Sequence, residues 1–256
     1  MPIEVAREGR LLLVTLNRPE KRNALDLAMC RELVAALTEA NDDPSVGAVL
    51  LSGAGKAFCA GMDLTEAAEV DREELAAIHE RLFSFDRWML KPVLARVAGA
   101  ALAGGTGLVA NAHVVVAEEG ATFGLTEIRI GLWPVLIFPA VIRAVGERRA
   151  VELALLGRIF SAREALAYGL ATEVVPGEQL LVRSFDLAHA LAGASLSATQ
   201  SGLEYVHEIS GKSDEEAGRI GKLVREQMMS HPDFAEGLWG FREKRPPVWP
   251  SHSTVE

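Results

Sequence analysis

Two glycine-rich segments and one glutamate carry the chemistry that can be read from this chain. The first segment runs from Gly53 to Leu64 and holds Gly53, Gly55, Gly61 and Met62; the second runs from Gly99 to Leu108 and holds Gly104, Gly105 and Gly107. Glu127 follows, between Thr126 and Ile128. Glycines let a backbone approach a ligand closely and present bare N–H groups. Two such loops and one carboxylate predict a site that holds a developing oxyanion while the carboxylate moves a proton. Glu127 sits among Phe123, Leu125, Ile128 and Ile130. Apolar neighbours raise a carboxyl pKa towards neutrality, which suits a proton carrier.

Other chemistries find less support. The chain has no Gly-x-Ser-x-Gly elbow, which argues against a serine hydrolase of that kind. Gly53 to Lys56 is not a phosphate-binding P-loop, because its glycine spacing differs and Ala57 stands where Ser or Thr is required. The six histidines show no metal-ligand spacing. Asp63 is expected to cap a helix after the first loop. Glu118 and Glu119 precede Gly120 and read as a solvated turn.

Composition sets the frame. The chain has 256 residues, 49% of them hydrophobic, and a net charge of -9. That size and composition fit a soluble globular chain. The acidic balance argues against a nucleic-acid partner or an anionic membrane surface, either of which selects a basic face. Cys30 and Cys59 are the only cysteines, so no disulfide framework is expected. The start lacks the layout of a signal peptide, and the most apolar stretch, 130–142, is interrupted by Pro134 and Pro139. A reducing, cytoplasmic setting is the expectation.

The elements that must position the loops can be traced in order. Ile3–Ala6 and Leu11–Leu16 read as a hairpin around Gly9. Asp26 can cap a helix that carries Leu27, Cys30, Val34 and Leu37 on one face. Ala48–Ser52 and Val93–Val97 are short apolar runs that read as buried strands, one feeding each glycine-rich loop. A helix is predicted from Gly104 to about Ala112, and a strand over Val114–Ala117. Further on come a helix ending at Gly157, a capping box at Ser161 and Glu164, and a strand over Ala171–Val175. Strands alternating with helices indicate an α/β fold. Strand signals stop near residue 195, so a core over 1–195 and a helical C-terminal region over 196–256 are expected, with helices over Ala198–Ser210, Asp214–Met229 and Asp233–Glu243.

At these residues the chain resembles the crotonase superfamily, the enoyl-CoA hydratase/isomerase fold, over nearly its whole length. Asn17 to Leu25 resembles the family's N-terminal signature, Lys56 to Leu64 its first oxyanion loop, and Lys91 to Gly105 the strand and turn of its second. Ser161–Pro176 and Phe241–Pro246 also fit. The resemblance implies a spiral of stacked ββα units, a C-terminal helical region, and a homotrimer or homohexamer. It implies that the backbone N–H groups of Met62 and Gly104 bind the oxygen of an acyl-CoA thioester and that Glu127 is the acid/base. It also implies that Arg22, Lys56 and the backbones of Ala24 and Ala60 contact coenzyme A. Phe241 and Lys244 would close over its nucleotide, often from a neighbouring subunit. Coenzyme A enters as part of the substrate; no separate cofactor is implied.

Gly107 departs from the pattern. Hydratases of the family usually carry a second glutamate there, and the two carboxylates hold the added water; here the position has no side chain. His113 replaces an aspartate common in the family and reads as a histidine satisfied within the core. One carboxylate favours one-base chemistry: Glu127 takes a proton from C2 of a 3-enoyl-CoA and returns it to C4. The segment Gly131–Phe138 resembles the apolar form found in single-glutamate isomerases. Hydration, hydrolysis or decarboxylation through an unidentified group, and non-catalytic acyl-CoA binding, are the alternatives. Trp88, Met89, Trp133, Leu136, Ile137 and Phe138 are candidates for an acyl pocket or for core.

Overall fold

The first turn of chain is a hairpin, as its apolar spacing around a Gly9 turn requires. β1 (Ile3–Glu8) pairs antiparallel with β2 (Leu11–Leu16). The computed structural model describes residues 1–65 and 71–252. α1 (Leu27–Asp42) begins where predicted: the Asp26 side chain accepts from the Met29 N–H at 2.7 Å. Its buried face is centred on Met29, Cys30, Leu33 and Leu37, with Val34 only half-buried.

Two sheets follow. β3 (Ala48–Gly53), β5 (Val93–Val97), β7 (Val114–Glu118) and β10 (Glu173–Val175) join the hairpin in a six-stranded sheet ordered β1-β2-β3-β5-β7-β10. From β2 onward its pairings are parallel. β4 (Ala57–Cys59), β6 (Ala100–Leu102), β8 (Thr122–Gly124) and β9 (Ile159–Ser161) form the second sheet in that order. Each pass of the chain therefore lays one strand in each sheet. After β4 comes α2 (Arg72–Leu82) and after β6 comes α3 (Gly104–Asn111). After β8 come a 3-10 turn (Glu127–Ile130), α4 (Phe138–Val145) and α5 (Glu147–Leu156). This is the stacked ββα spiral. Its second sheet is made of three-residue strands, too short for a period of two to register in sequence.

α6 (Ala162–Tyr168) starts at the predicted capping box, with Ser161 and Glu164 bonded reciprocally, and stops at Gly169 in left-handed conformation. α7 (Gly177–Ala192), absent from the sequence reading, covers the outer face of the large sheet: Leu180, Ala188 and Ala192 pack with Leu11, Leu50, Leu94 and Val116. α8 (Leu196–Ile209), α9 (Asp214–Ser230) and α10 (Pro232–Glu243) then run close to their predicted bounds. Leu196 is the last buried apolar residue among those described. Val206, Leu223, Trp239 and Phe241 beyond it are all exposed. No helix among the described residues is long and apolar enough to cross a membrane.

Candidate active site

The two glycine-rich loops meet because parallel strands release them on the same side. β3 and β5 are hydrogen-bonded neighbours, and β4 pairs with β6 just beyond them. The contact is tight enough to need glycine. Gly61 has φ of +93°, and a Cβ there would lie 2.8 Å from the Ala103 Cβ and 3.3 Å from the Gly104 N. A Cβ on Gly105 would fall 2.3 Å from the Cys59 carbonyl oxygen.

Both predicted donors are left free by the local backbone. Leu25 donates to the Gly61 carbonyl at 2.7 Å and accepts from the Asp63 N–H at 2.9 Å. Met62 forms an isolated parallel bridge with Leu25, whose two bonds use the Gly61 carbonyl and the Asp63 N–H and leave the Met62 N–H outside the pairing. Gly104 is the first residue of α3, where an N–H has no intrahelical partner and the helix dipole is positive. Ala103, just before it, holds φ 49° and ψ −120°, a conformation that costs a non-glycine residue on the order of 1–3 kcal/mol. Its N–H is tied to the Gly124 carbonyl at 2.8 Å, and the buried Thr106 hydroxyl bonds Ala101 and Gly124 beside it. The strain is thus held in place by β6, β8 and the start of α3, and it sets the direction of the Gly104 amide.

Glu127 opens the 3-10 turn that follows β8. Its Oε2 is shut off from solvent and has no hydrogen-bond partner. Burial pushes the carboxyl above its ordinary pKa, and a bond from its own backbone N–H offsets part of that rise. Met62, Gly104 and Glu127 all line one cavity of about 240 Å³. Leu64, Phe83, Ile130, Trp133, Val135 and Ile137 supply apolar walls. The three residues chosen from sequence are therefore brought together. Trp133, Leu136 and Ile137 from the acyl-pocket candidates also reach the cavity. Met89 is fully buried core, Trp88 carries the Arg81 guanidinium 3.7 Å above its ring, and Phe138 packs at the core's edge.

Gly107 shows why no second carboxylate is present. A Cβ there would lie 2.3 Å from Ile137 Cγ2 and 3.3 Å from Phe83 Cδ1. Hydrocarbon fills the place, and among the cavity's described lining residues Glu127 is the only acid.

Several expectations need correction. Asp63, expected to cap a helix after the first loop, accepts from the Thr65 N–H and pairs with Arg18, each at 3.2 Å, while Asp71 caps α2. Residues 66–70, where such a helix would run, lie outside the described residues. Glu118 is not a solvated turn residue, for its Oε1 accepts from the Gly99 N–H at 2.8 Å and so anchors the second loop. His113 is only half satisfied: Nδ1 accepts from Val93 at 3.0 Å, while Nε2 is buried without a partner and burial drives the ring's pKa down to about 4.

The coenzyme A candidates fall into two groups. Arg22, Ala24, Lys56 and Ala60 belong to segments bonded to one another; Ala60 N–H donates to the Arg22 carbonyl at 3.0 Å. Ala24 N–H is used by Lys21, and its carbonyl accepts from Arg18 at 2.7 Å. The Arg22 and Lys56 side chains are exposed. Phe241, 84% exposed, and Lys244, in left-handed conformation at the end of α10, are not among the cavity's lining residues.

Three residues that hold the site escaped sequence reasoning. Asn23, fully buried, donates to the carbonyls of Ala54 and Ala57 at 2.9 and 2.8 Å and accepts from the Arg18 N–H. Arg18 bridges Asp26 and Asp63 at 2.9 and 3.2 Å. Together they pin the N-terminal segment under the first loop, and only long-range contact reveals either. The third, His79 on α2, lines the cavity.

Comparison with known proteins identifies the family. The family model for enoyl-CoA hydratase/isomerase matches residues 6–252. A mevalonyl-coenzyme A hydratase of Aspergillus fumigatus is 36% identical over 93% of this chain and 91% of its own. Crystal structures of enoyl-CoA hydratases from Bacillus anthracis and Mycobacterium smegmatis superpose with TM-scores of 0.91 each, at 31% and 33% identity. The first covers 98% of this chain and 100% of that one, the second 97% and 99%. The chain belongs to the enoyl-CoA hydratase/isomerase family, within the crotonase superfamily.

Proposed function

We propose that this enzyme isomerises 3-enoyl-CoA thioesters to 2-enoyl-CoA thioesters with Glu127 as its single acid/base. The observation that carries this reading is the hydrocarbon at Gly107: Ile137 and Phe83 occupy the space of a second carboxylate, leaving one acid in the cavity. Glu127 takes the C2 proton, and the electron pair moves onto the thioester oxygen. The Met62 and Gly104 N–H groups stabilise that oxyanion, each such donor being worth roughly 3–4 kcal/mol of barrier. The protonated Glu127 then delivers the same proton to C4 as the double bond settles between C2 and C3. The apolar walls keep water away from the enolate and hold the carboxyl basic.

The names of the relatives favour a second reading, hydration of 2-enoyl-CoA, with Glu127 and another group holding the water. One assay separates the two. The protein is offered 3-hexenoyl-CoA and 2-hexenoyl-CoA in parallel. Faster double-bond migration than water addition is expected; the reverse order overturns the isomerase reading.

A further inference from the structure

The cavity is lined by an imidazole that the proton-transfer scheme does not use. His79 projects from α2, is 7% exposed, and lines the same cavity as Glu127. Its Nε2 is shut off from solvent without a partner. Burial lowers its pKa below the ordinary histidine value, so the ring is neutral near pH 7. A buried polar atom with no partner is costly, and such atoms are retained where a ligand completes them.

Its neighbours say where along a substrate it acts. The ring stacks on Phe83, one helical turn on, with centroids 5.4 Å apart. Phe83 in turn lies against Gly104, where an added Cβ would sit 3.0 Å from Phe83 Cζ. One aromatic ring thus separates His79 from the Gly104 amide, so a thioester held by that amide would run its acyl chain through the cavity that His79 lines. The surrounding wall of Leu64, Leu132, Val135 and Leu136 is apolar. Lys and Arg are absent from the described lining residues, and Glu127 is present, so an acyl carboxylate would be buried without a cation and beside a like charge.

We propose that His79 is a specificity-determining residue that hydrogen-bonds a neutral oxygen, a hydroxyl or ketone, on the acyl chain of the substrate. This rests on the acyl-CoA reading above. Nε2 of a neutral imidazole accepts from a hydroxyl in one tautomer and donates to a hydroxyl or ketone oxygen in the other. A site built to bond such a group discriminates strongly against the analogue that lacks it, because its own polar atom is then left unpaired.

The test uses saturated thioesters, which bind but cannot isomerise. Titration calorimetry compares 5-hydroxypentanoyl-CoA with pentanoyl-CoA on the full-length protein. The wild type is expected to bind the hydroxylated thioester at least tenfold more tightly. His79→Phe should abolish or invert that preference while keeping pentanoyl-CoA affinity, and His79→Gln should retain part of it. A wild type that prefers pentanoyl-CoA overturns the inference by itself, even if His79→Phe does not fold. A preference unchanged in His79→Phe also overturns it. Failure of both thioesters to bind rejects the acyl-CoA reading along with it, whereas equal binding of both rejects only the role of His79.

Discussion

At the scale of single residues, burying the Glu127 carboxyl costs stability. Its folded pKa is raised by burial, so the native state binds more protons than the unfolded chain between the ordinary carboxyl value and the raised one. Stability therefore falls as pH rises through that window, and the cost is fully present above the folded pKa. Replacing Glu127 with Gln removes the buried charge and should raise Tm at pH 7, measured by calorimetry, with no gain at pH 3 where both states are protonated. The same substitution should lower turnover by about 10²–10⁴-fold, the usual contribution of a positioned acid/base. In the wild type, kcat/KM should rise with pH through a midpoint above the ordinary carboxylate range, because the carboxylate is the form that accepts the proton. The place of Glu127 in the cavity was legible through its apolar neighbours and the family resemblance. His79 was not, because a helical histidine four residues before a phenylalanine carries no spacing signal of its own.

At the scale of elements, the site depends on how loops are pinned to one another. Asn23 ties the segment before α1 to the carbonyls ahead of and within β4. Asn23→Ala leaves those groups and the Arg18 N–H without their partner. The expected loss is about 2 kcal/mol, or roughly 4–8 °C in Tm for a domain of this size. Turnover should fall as well, since Ala60 and Met62 hang from the same segment. Gly107 makes the opposite demand. Gly107→Glu should not create a second acid: its Cβ collides with Ile137, and overpacking of this kind costs about 1–3 kcal/mol. Adding Ile137→Ala should recover stability, which thermal unfolding of the single and double variants measures. The helices with capping boxes, α6 and α9, were readable because a cap is a local code. The strands β4, β6, β8 and β9 were not, because three residues are too few to show alternation and their order is set by spiral packing. The pinning bonds of Asn23 and Glu118 span tens of residues, so their partners were invisible for the same reason.

At the scale of the whole molecule, α8, α9 and α10 carry apolar side chains that one copy leaves in water: Val206, Leu223, Trp239 and Phe241. Patches of this kind mark association surfaces. Light scattering should therefore find an assembly of more than one copy, and Trp239→Ser with Phe241→Ser should shift the mass towards the monomer. A wild type that is monomeric at micromolar concentration would contradict the expectation that Phe241 and Lys244 serve a neighbouring copy. An α/β fold was legible in the alternation of strands and helices and the spiral through the family resemblance, whereas α7 passed unnoticed because its buried side chains, Leu180, Ser184, Ala188 and Ala192, include small and polar types. The central claim concerns the enolate, whichever reaction it feeds. It is tested most directly by following the C2 protons of butanoyl-CoA in deuterated water by NMR with the intact protein. Exchange is expected with the wild type, with a loss of about 10²–10⁴-fold in Glu127→Gln; no exchange with the wild type, or an equal rate in the variant, would contradict enolate formation by Glu127.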